Sequence, residues 1–209
     1  MRFFVPILAL SFLGWSSSSE AAKYTFGTAG SSVTFQNQAS LHGIDGEVKE
    51  YSGSFDSTAG TGLLVVKTKS MTTNLGPRDN KMHSFCLESE KYPTIEFKVS
   101  SVTGLESVQA GSKRGRITLN GNLKIRDVTK PISVASSFVT VGNDLTLQGQ
   151  LDFKWTDFNV PDPSILISTL YPDMSVKFSL SMKGEPKPAA PAEPAAAPAA
   201  APAAESNGQ

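Results

Sequence analysis

The side chains able to do covalent or metal chemistry are few and scattered. One thiol, Cys86, stands in a chain of 209 residues. A single cysteine forms no internal disulfide, and a nucleophilic thiol needs a base beside it. None adjoins Cys86, so it reads as a small buried hydrophobe. The two histidines, His42 and His83, lie far apart without the clustered ligand spacing of a metal site. No metal is assigned. Asp127, Asp144, Asp152 and Asp157 are spread over turns and strands, with nothing pairing two of them as acid and base. No Gly-x-Ser-x-Gly elbow, Walker-type loop or dinucleotide fingerprint occurs. No catalytic residue is assigned, and the expectation is a protein that is not an enzyme. What is left is non-covalent. Arg78 and the basic run Lys113, Arg114 and Arg116 are of the type that holds an anion, or else they are solvated loop charges.

The elements that must position these groups are strands. Phe (12 residues), Val, Ile, Leu, Thr and Ser dominate, which is sheet vocabulary. Basic and acidic residues balance at 19 each, so the net charge gives no reason to expect a nucleic-acid partner. From Lys23 to Gly184 apolar residues recur every second position. Ile95, Phe97 and Val99 alternate with Glu96, Lys98 and Ser100. Ile117 and Leu119, Leu123 and Ile125, and Val176 to Met182 repeat the pattern. Side chains of a strand face opposite sides in turn, so each run has one apolar and one polar face. Turn residues divide the runs. Asn120-Gly121-Asn122 and Gly142-Asn143-Asp144 read as tight hairpins, and Gly111 to Gly115 as a longer basic loop. Gly149 marks a place where a strand can bend. The one helical candidate is Asn80 to Lys91, stopped by Pro93. About eight or nine one-sided strands, with no substantial helix to cover them, leave a sandwich or a closed barrel. In a barrel of about eight strands the interior is either filled or holds one ligand.

The two ends read differently. Residues 1–21 combine Arg2, an apolar stretch from Phe3 to Trp15 that is short for a bilayer, a serine run and Ser19-Glu20-Ala21. That order predicts a cleaved signal peptide, with no cysteine nearby for a lipid anchor, and hence a periplasmic or secreted protein. Residues 185–209 are rich in Pro and Ala and carry no branched aliphatic or aromatic side chain, which predicts a disordered tail. The segment between, 22–184, is the expected domain, and no further stretch is apolar enough to span a membrane.

Three pieces of that domain resemble the YceI-like family. The first is Arg78-Asp79-Asn80-Lys81-Met82 followed by Tyr92-Pro93-Thr94-Ile95-Glu96-Phe97. The second is Gly121 to Ile132, with its Leu123-x-Ile125 strand and Thr129-Lys130-Pro131 turn. The third is Trp155 to Val160 with Pro163-Ser164-Ile165-Leu166. Gly27 to Ser32 departs from the family, which often carries an Asp-x-x-His-Ser segment there. The resemblance implies an all-β chain: a single extended antiparallel β-barrel, lipocalin-like, of about eight strands with one short helical insertion. It also implies non-enzymatic binding or transport of a long-chain, isoprenoid-like lipid in an apolar channel, with no cofactor.

The energetic case for such a ligand is plain. Each exposed methylene costs about 0.8 kcal/mol, and a dry channel removes that cost without directional bonds. Parity makes the inward candidates Phe35, Phe55, Leu64, Val66, Phe97, Val99, Ile117, Leu119, Ile125, Val134, Phe138, Leu147, Phe153 and Phe178. Arg78, Lys113, Arg114 and Arg116 are the candidates for a polar head group at the barrel mouth. Two other readings stand beside this one. A filled barrel displayed on the Pro/Ala stalk would bind another envelope protein, and an unrecognised polar cluster would make an enzyme acting on an amphiphile.

Overall fold

Alternation with a period of two becomes eleven strands in the computed structural model, which describes residues 23–164 and 168–185. The expected leader, 1–21, and all but the first residue of the expected tail, 185–209, lie outside the described residues. The strands are β1 (Lys23–Phe26), β2 (Ser32–Ala39), β3 (Gly43–Val48), β4 (Tyr51–Asp56), β5 (Thr61–Lys67) and β6 (Met71–Thr72). They continue as β7 (Thr94–Thr103), β8 (Arg114–Ile125), β9 (Val128–Val141), β10 (Asp144–Lys154) and β11 (Leu170–Glu185).

All pairings are antiparallel, and β1-β4-β5-β7-β8-β9-β10-β11 closes on itself because β11 also pairs with β1. The result is an eight-strand barrel, one of the two architectures that the alternation leaves open and the one that the resemblance implies. The three remaining strands prolong it. β11 pairs with β1 through Met182–Glu185 and with β2 through Leu170–Ser179, so β1 and β2 are one stave interrupted at residues 27–31. β3 and β4 form the next stave, and β5 and β6 the third, broken by a 3-10 turn at Thr68–Ser70. Each stave follows its predecessor in the chain, so the barrel is a simple meander. Closure leaves no free edge along the ring to template aggregation.

One stave is short at one end. β7 starts at Thr94, opposite Lys67 of β5, and among the described residues no strand pairs with the outer side of β6. The chain between β6 and β7 instead forms helix α1 (Gly76–Lys81) and a π-helical turn, Met82–Cys86. Pro77 sits in the first turn of α1, where its missing N–H has no intrahelical partner to lose. This is the expected helical insertion, begun four residues earlier than the pattern indicates. A second helix, α2 (Leu105–Gln109), follows Gly104 in the left-handed region (φ 82°) and was not foreseen. Five residues are too few to show a helical period.

Gly121 has a different job from the predicted one. The Asn120-Gly121-Asn122 triplet lies inside β8, which runs without interruption from Arg114 to Ile125. A Cβ on Gly121 would collide with the Lys98 carbonyl of β7, beside the bulge between Val99 and Ser101. The glycine permits this close backbone approach. The hairpin falls later, at Arg126-Asp127, where Arg126 takes φ 55°. The predicted turn at Gly142 is present, with φ 61°.

The two ends of the barrel are built differently. The end bearing the β4–β5, β7–β8 and β9–β10 turns is solid. Ile117, Phe138 and Leu145 are buried there, together with Val108 of α2. At the other end a second cluster of Cys86, Leu87, Leu123, Ile125 and Phe158 packs the π-helical turn and the Trp155–Phe158 turn against the barrel rim. Phe158 meets Phe153 edge-on, with centroids 5.5 Å apart.

Candidate binding channel

The interior between these ends is hollow, and the reason is legible in cross-strand pairs. Phe35 faces Gly46, Phe26 faces Gly53, and Phe178 faces Gly149 in register. At each of these glycines a Cβ would collide with the ring of its partner. The ring therefore lies across the neighbouring strand, over the bare glycine. An aromatic side chain laid on the wall leaves the axis of the barrel open, whereas one standing upright would fill it. Phe138 is folded over Gly115 in the same way, but at the solid end, where Leu145 and Ile117 occupy the remaining space.

Two connected chambers result. The inner one is a cavity of about 160 Å³ with an apolar wall. An apolar void of roughly 150 Å³ stays dry and accepts a benzene-sized guest. The outer one, a vestibule of about 470 Å³, opens at the end where β7 is short. Phe35, Met71, Ile95, Ile125, Phe153 and Met174 line both chambers and form the neck between them. Two of these six are methionines, whose unbranched thioethers adapt to irregular guests. Met174 is held by Asn37, whose Nδ2 lies 3.2 Å from its Sδ and also donates to the carbonyls of Tyr171 and Asp173.

All but two of the inward candidates read from parity line the inner chamber: Phe35, Phe55, Leu64, Val66, Phe97, Val99, Leu119, Ile125, Val134, Leu147, Phe153 and Phe178. Ile117 and Phe138 do not. They point inward but belong to the solid end, at 3 % and 1 % exposure. Met71, Ile95 and Met174 were not among the candidates. Ile95 shares the parity of Phe97 and was within reach of the pattern, but Met71 sits in a two-residue strand that has no period to read.

The four basic candidates are not one cluster. Arg78 lies on α1 at the vestibule. Lys113 and Arg114 lie at the start of β8, and Arg116 faces an outer groove with Gln148 and Lys177. β8 carries them to the solid end, about 35 Å from the mouth at the usual strand rise. A head group at the vestibule therefore meets Arg78 and none of the other three.

The crossover into α1 is held by the Arg78-Asp79 pair. Arg78 Nε donates to Thr73 Oγ1 at 2.7 Å and its Nη2 to the Thr73 carbonyl at 2.9 Å. Asp79 accepts from the Thr72 and Thr73 hydroxyls and from the Thr73 N–H. Burial pushes the Asp79 carboxyl up, but these hydrogen bonds outweigh it and hold the group below the usual carboxylate range. Cys86 lines the vestibule too, and there burial pushes its thiol up. A raised thiol is a poor nucleophile. Among the described residues no three His, Cys, Asp or Glu side chains gather where a metal ion would fit. Outside the vestibule, Arg126 pairs with Glu88, donates to the Asn159 carbonyl at 2.9 Å and lies over the Tyr92 ring, which ties the mouth loops together.

A closed antiparallel meander with an apolar axial channel that opens at one end defines the lipocalin-like class. Within that class the chain belongs to the YceI-like domain family, whose model matches residues 24–184. A UPF0312 protein of Vibrio parahaemolyticus is 29 % identical over 175 residues, spanning 75 % of this chain and 86 % of its own. Two solved structures share the fold. A polyisoprenoid binding domain from Saccharophagus degradans, implicated in plant cell wall breakdown, has a TM-score of 0.67 at 18 % identity, covering 79 % of this chain and all of its own. BcnA of Burkholderia cenocepacia has a TM-score of 0.64 at 20 % identity, covering 75 % and 98 %.

Proposed function

We propose that this protein binds a long-chain, isoprenoid-like lipid without chemically altering it, outside the cytoplasm. The observation that carries the reading is the largely apolar, two-chambered channel with an adaptable neck. An apolar chain gains about 0.8 kcal/mol per methylene on leaving water for such a space. The polyisoprenoid-binding relative from Saccharophagus degradans supports the same ligand class. In this reading the leader is removed on export, and mass spectrometry of the mature protein should find no Met1.

Native mass spectrometry of the protein purified from its own envelope tests the binding. A co-purifying long-chain lipid is the expected result. Added prenol should also raise the unfolding midpoint, by about 2.7 kcal/mol of stabilisation at a hundredfold excess over Kd. Leu147→Phe, which adds bulk to the inner chamber, should abolish most of that rise. No bound lipid, and no shift with added prenol, would overturn the reading.

A further inference from the structure

The rim of the mouth carries apolar side chains that the channel does not use. Seven large apolar side chains are exposed among the described residues, and four of them, Leu41, Leu75, Phe85 and Tyr171, border the mouth. They come from four elements. Leu41 is on the β2–β3 turn, Leu75 precedes α1, Phe85 is on the π-helical turn, and Tyr171 lies at the start of β11, where β11 meets the end of β2. Leu75 itself lines the vestibule, as do His42, Cys86 and Leu170, the chain neighbours of the other three. Leu41, Phe85 and Tyr171 do not line it. Two cations stand among these tips without an ion pair among the described residues. Lys81 lies over the Phe85 ring, 5.9 Å from its centroid, and Arg78 is three positions away on α1. The carboxylates of the same loops have partners of their own: Glu88 has Arg126, Asp79 has Thr72 and Thr73, and Asp162 has the Ser164 N–H.

We propose that this rim is a docking surface that sets the barrel mouth-down on an anionic lipid bilayer. Exposed apolar side chains interleaved with cations are the pattern of a surface that enters the head-group layer. The Lys81 ammonium stays at head-group level while the Phe85 ring beneath it goes deeper. A tyrosine such as Tyr171 suits the boundary itself, with an apolar ring and a polar tip. The four tips are separate points around an opening. A fluid bilayer yields around each of them, whereas a rigid protein surface needs a matching pocket for every one. The proposal rests on the lipid-binding reading for its purpose. A chain that crosses water between bilayer and channel is slowed about fourfold for every methylene it exposes on the way. A docked mouth passes the chain without that exposure.

Flotation of the envelope-purified protein with vesicles of equal parts phosphatidylglycerol and phosphatidylcholine tests this. The wild type should co-float, and the double variant Leu41→Ser with Phe85→Ser should lose about tenfold or more in partitioning. Neither residue lines a chamber, so farnesol should still raise that variant's unfolding midpoint. Leu41→Ser alone, on a turn, should lose about fivefold and carries the test where the double variant folds poorly. Val139→Ser with Val141→Ser, exposed at the solid end, should co-float within about twofold of the wild type. Transfer of a dansyl-labelled geranylgeraniol between vesicles should speed up with acceptor-vesicle concentration for the wild type and lose that dependence in the double variant. No flotation of the wild type, undiminished flotation of the rim variants, or an equal loss in the Val139 and Val141 variant would overturn the docking surface. Equal flotation on pure phosphatidylcholine would overturn the anionic bilayer as its occupant. A dimer in light scattering that the rim variants split would assign the rim to a second copy and overturn it too. Farnesol stabilisation without flotation would overturn the docking surface and leave the channel reading standing. Flotation without farnesol stabilisation would overturn the channel reading and leave the docking surface standing.

Discussion

The solid and open ends of the barrel are built from the same alternating strands, yet one is core and the other is cavity. At the solid end Ile117, Phe138 and Leu145, on the adjacent strands β8, β9 and β10, are buried in one cluster, and α2 adds Val108 from outside the ring. Toward the open end Phe26, Phe35 and Phe178 lie over glycines, and the stave that would continue β7 is replaced by α1 and a π-helical turn. The comparison teaches that inward parity alone does not make a ligand site. What does is an inward ring with a bare backbone to lie on and no plug opposite.

Removal of one ring from each end should sharpen that contrast most. Phe138→Ala should cost about 3–5 kcal/mol, because its neighbours enclose it and leave a new cavity. Phe35→Ala borders existing space and should cost at least about 1 kcal/mol less in urea denaturation. Equal losses would mean that the open end is packed as tightly as the solid one. A methyl group placed under the neck tests the glycine side of the pairs. Gly46→Ala should force the Phe35 ring off the wall toward the axis, with an overpacking cost of about 1–3 kcal/mol and weaker binding of farnesol. Undiminished farnesol binding in this variant would refute the idea that glycines keep the channel open.

The smallest effect concerns the crossover that shapes the mouth. The Asp79 carboxyl is held below its unfolded value, so its contribution to stability is full above about pH 4. That contribution falls away as acid drives pH through the folded value. Thermal midpoints of the wild type and of Asp79→Asn should therefore differ at neutral pH and converge toward pH 3. The gap should stay below about 1 kcal/mol because the carboxyl is only partly buried and solvent screens it. A gap that persists at low pH would assign the effect to hydrogen bonding rather than charge.

Much of this was legible in the alternation. Ile95 to Val99, Leu123 to Ile125 and Val176 to Met182 declare strand and inward face, because a half-buried strand repeats every two residues. The Asn120-Gly121-Asn122 triplet misled because a glycine needed for close backbone approach looks the same as one needed for a turn. The grouping of Arg78 with Lys113, Arg114 and Arg116 misled because charge type says nothing about which end of a barrel a residue occupies.

By itself, then, the sequence determined about eight or nine antiparallel, one-sided strands and most of the side chains on their apolar face. These follow from local stereochemistry and the cost of exposing apolar surface. Only the tertiary structure decided where that interior is empty. Hollowness depends on which glycine lies opposite which phenylalanine, and on a stave missing beside β6, pairings between residues distant in the chain that no local period records.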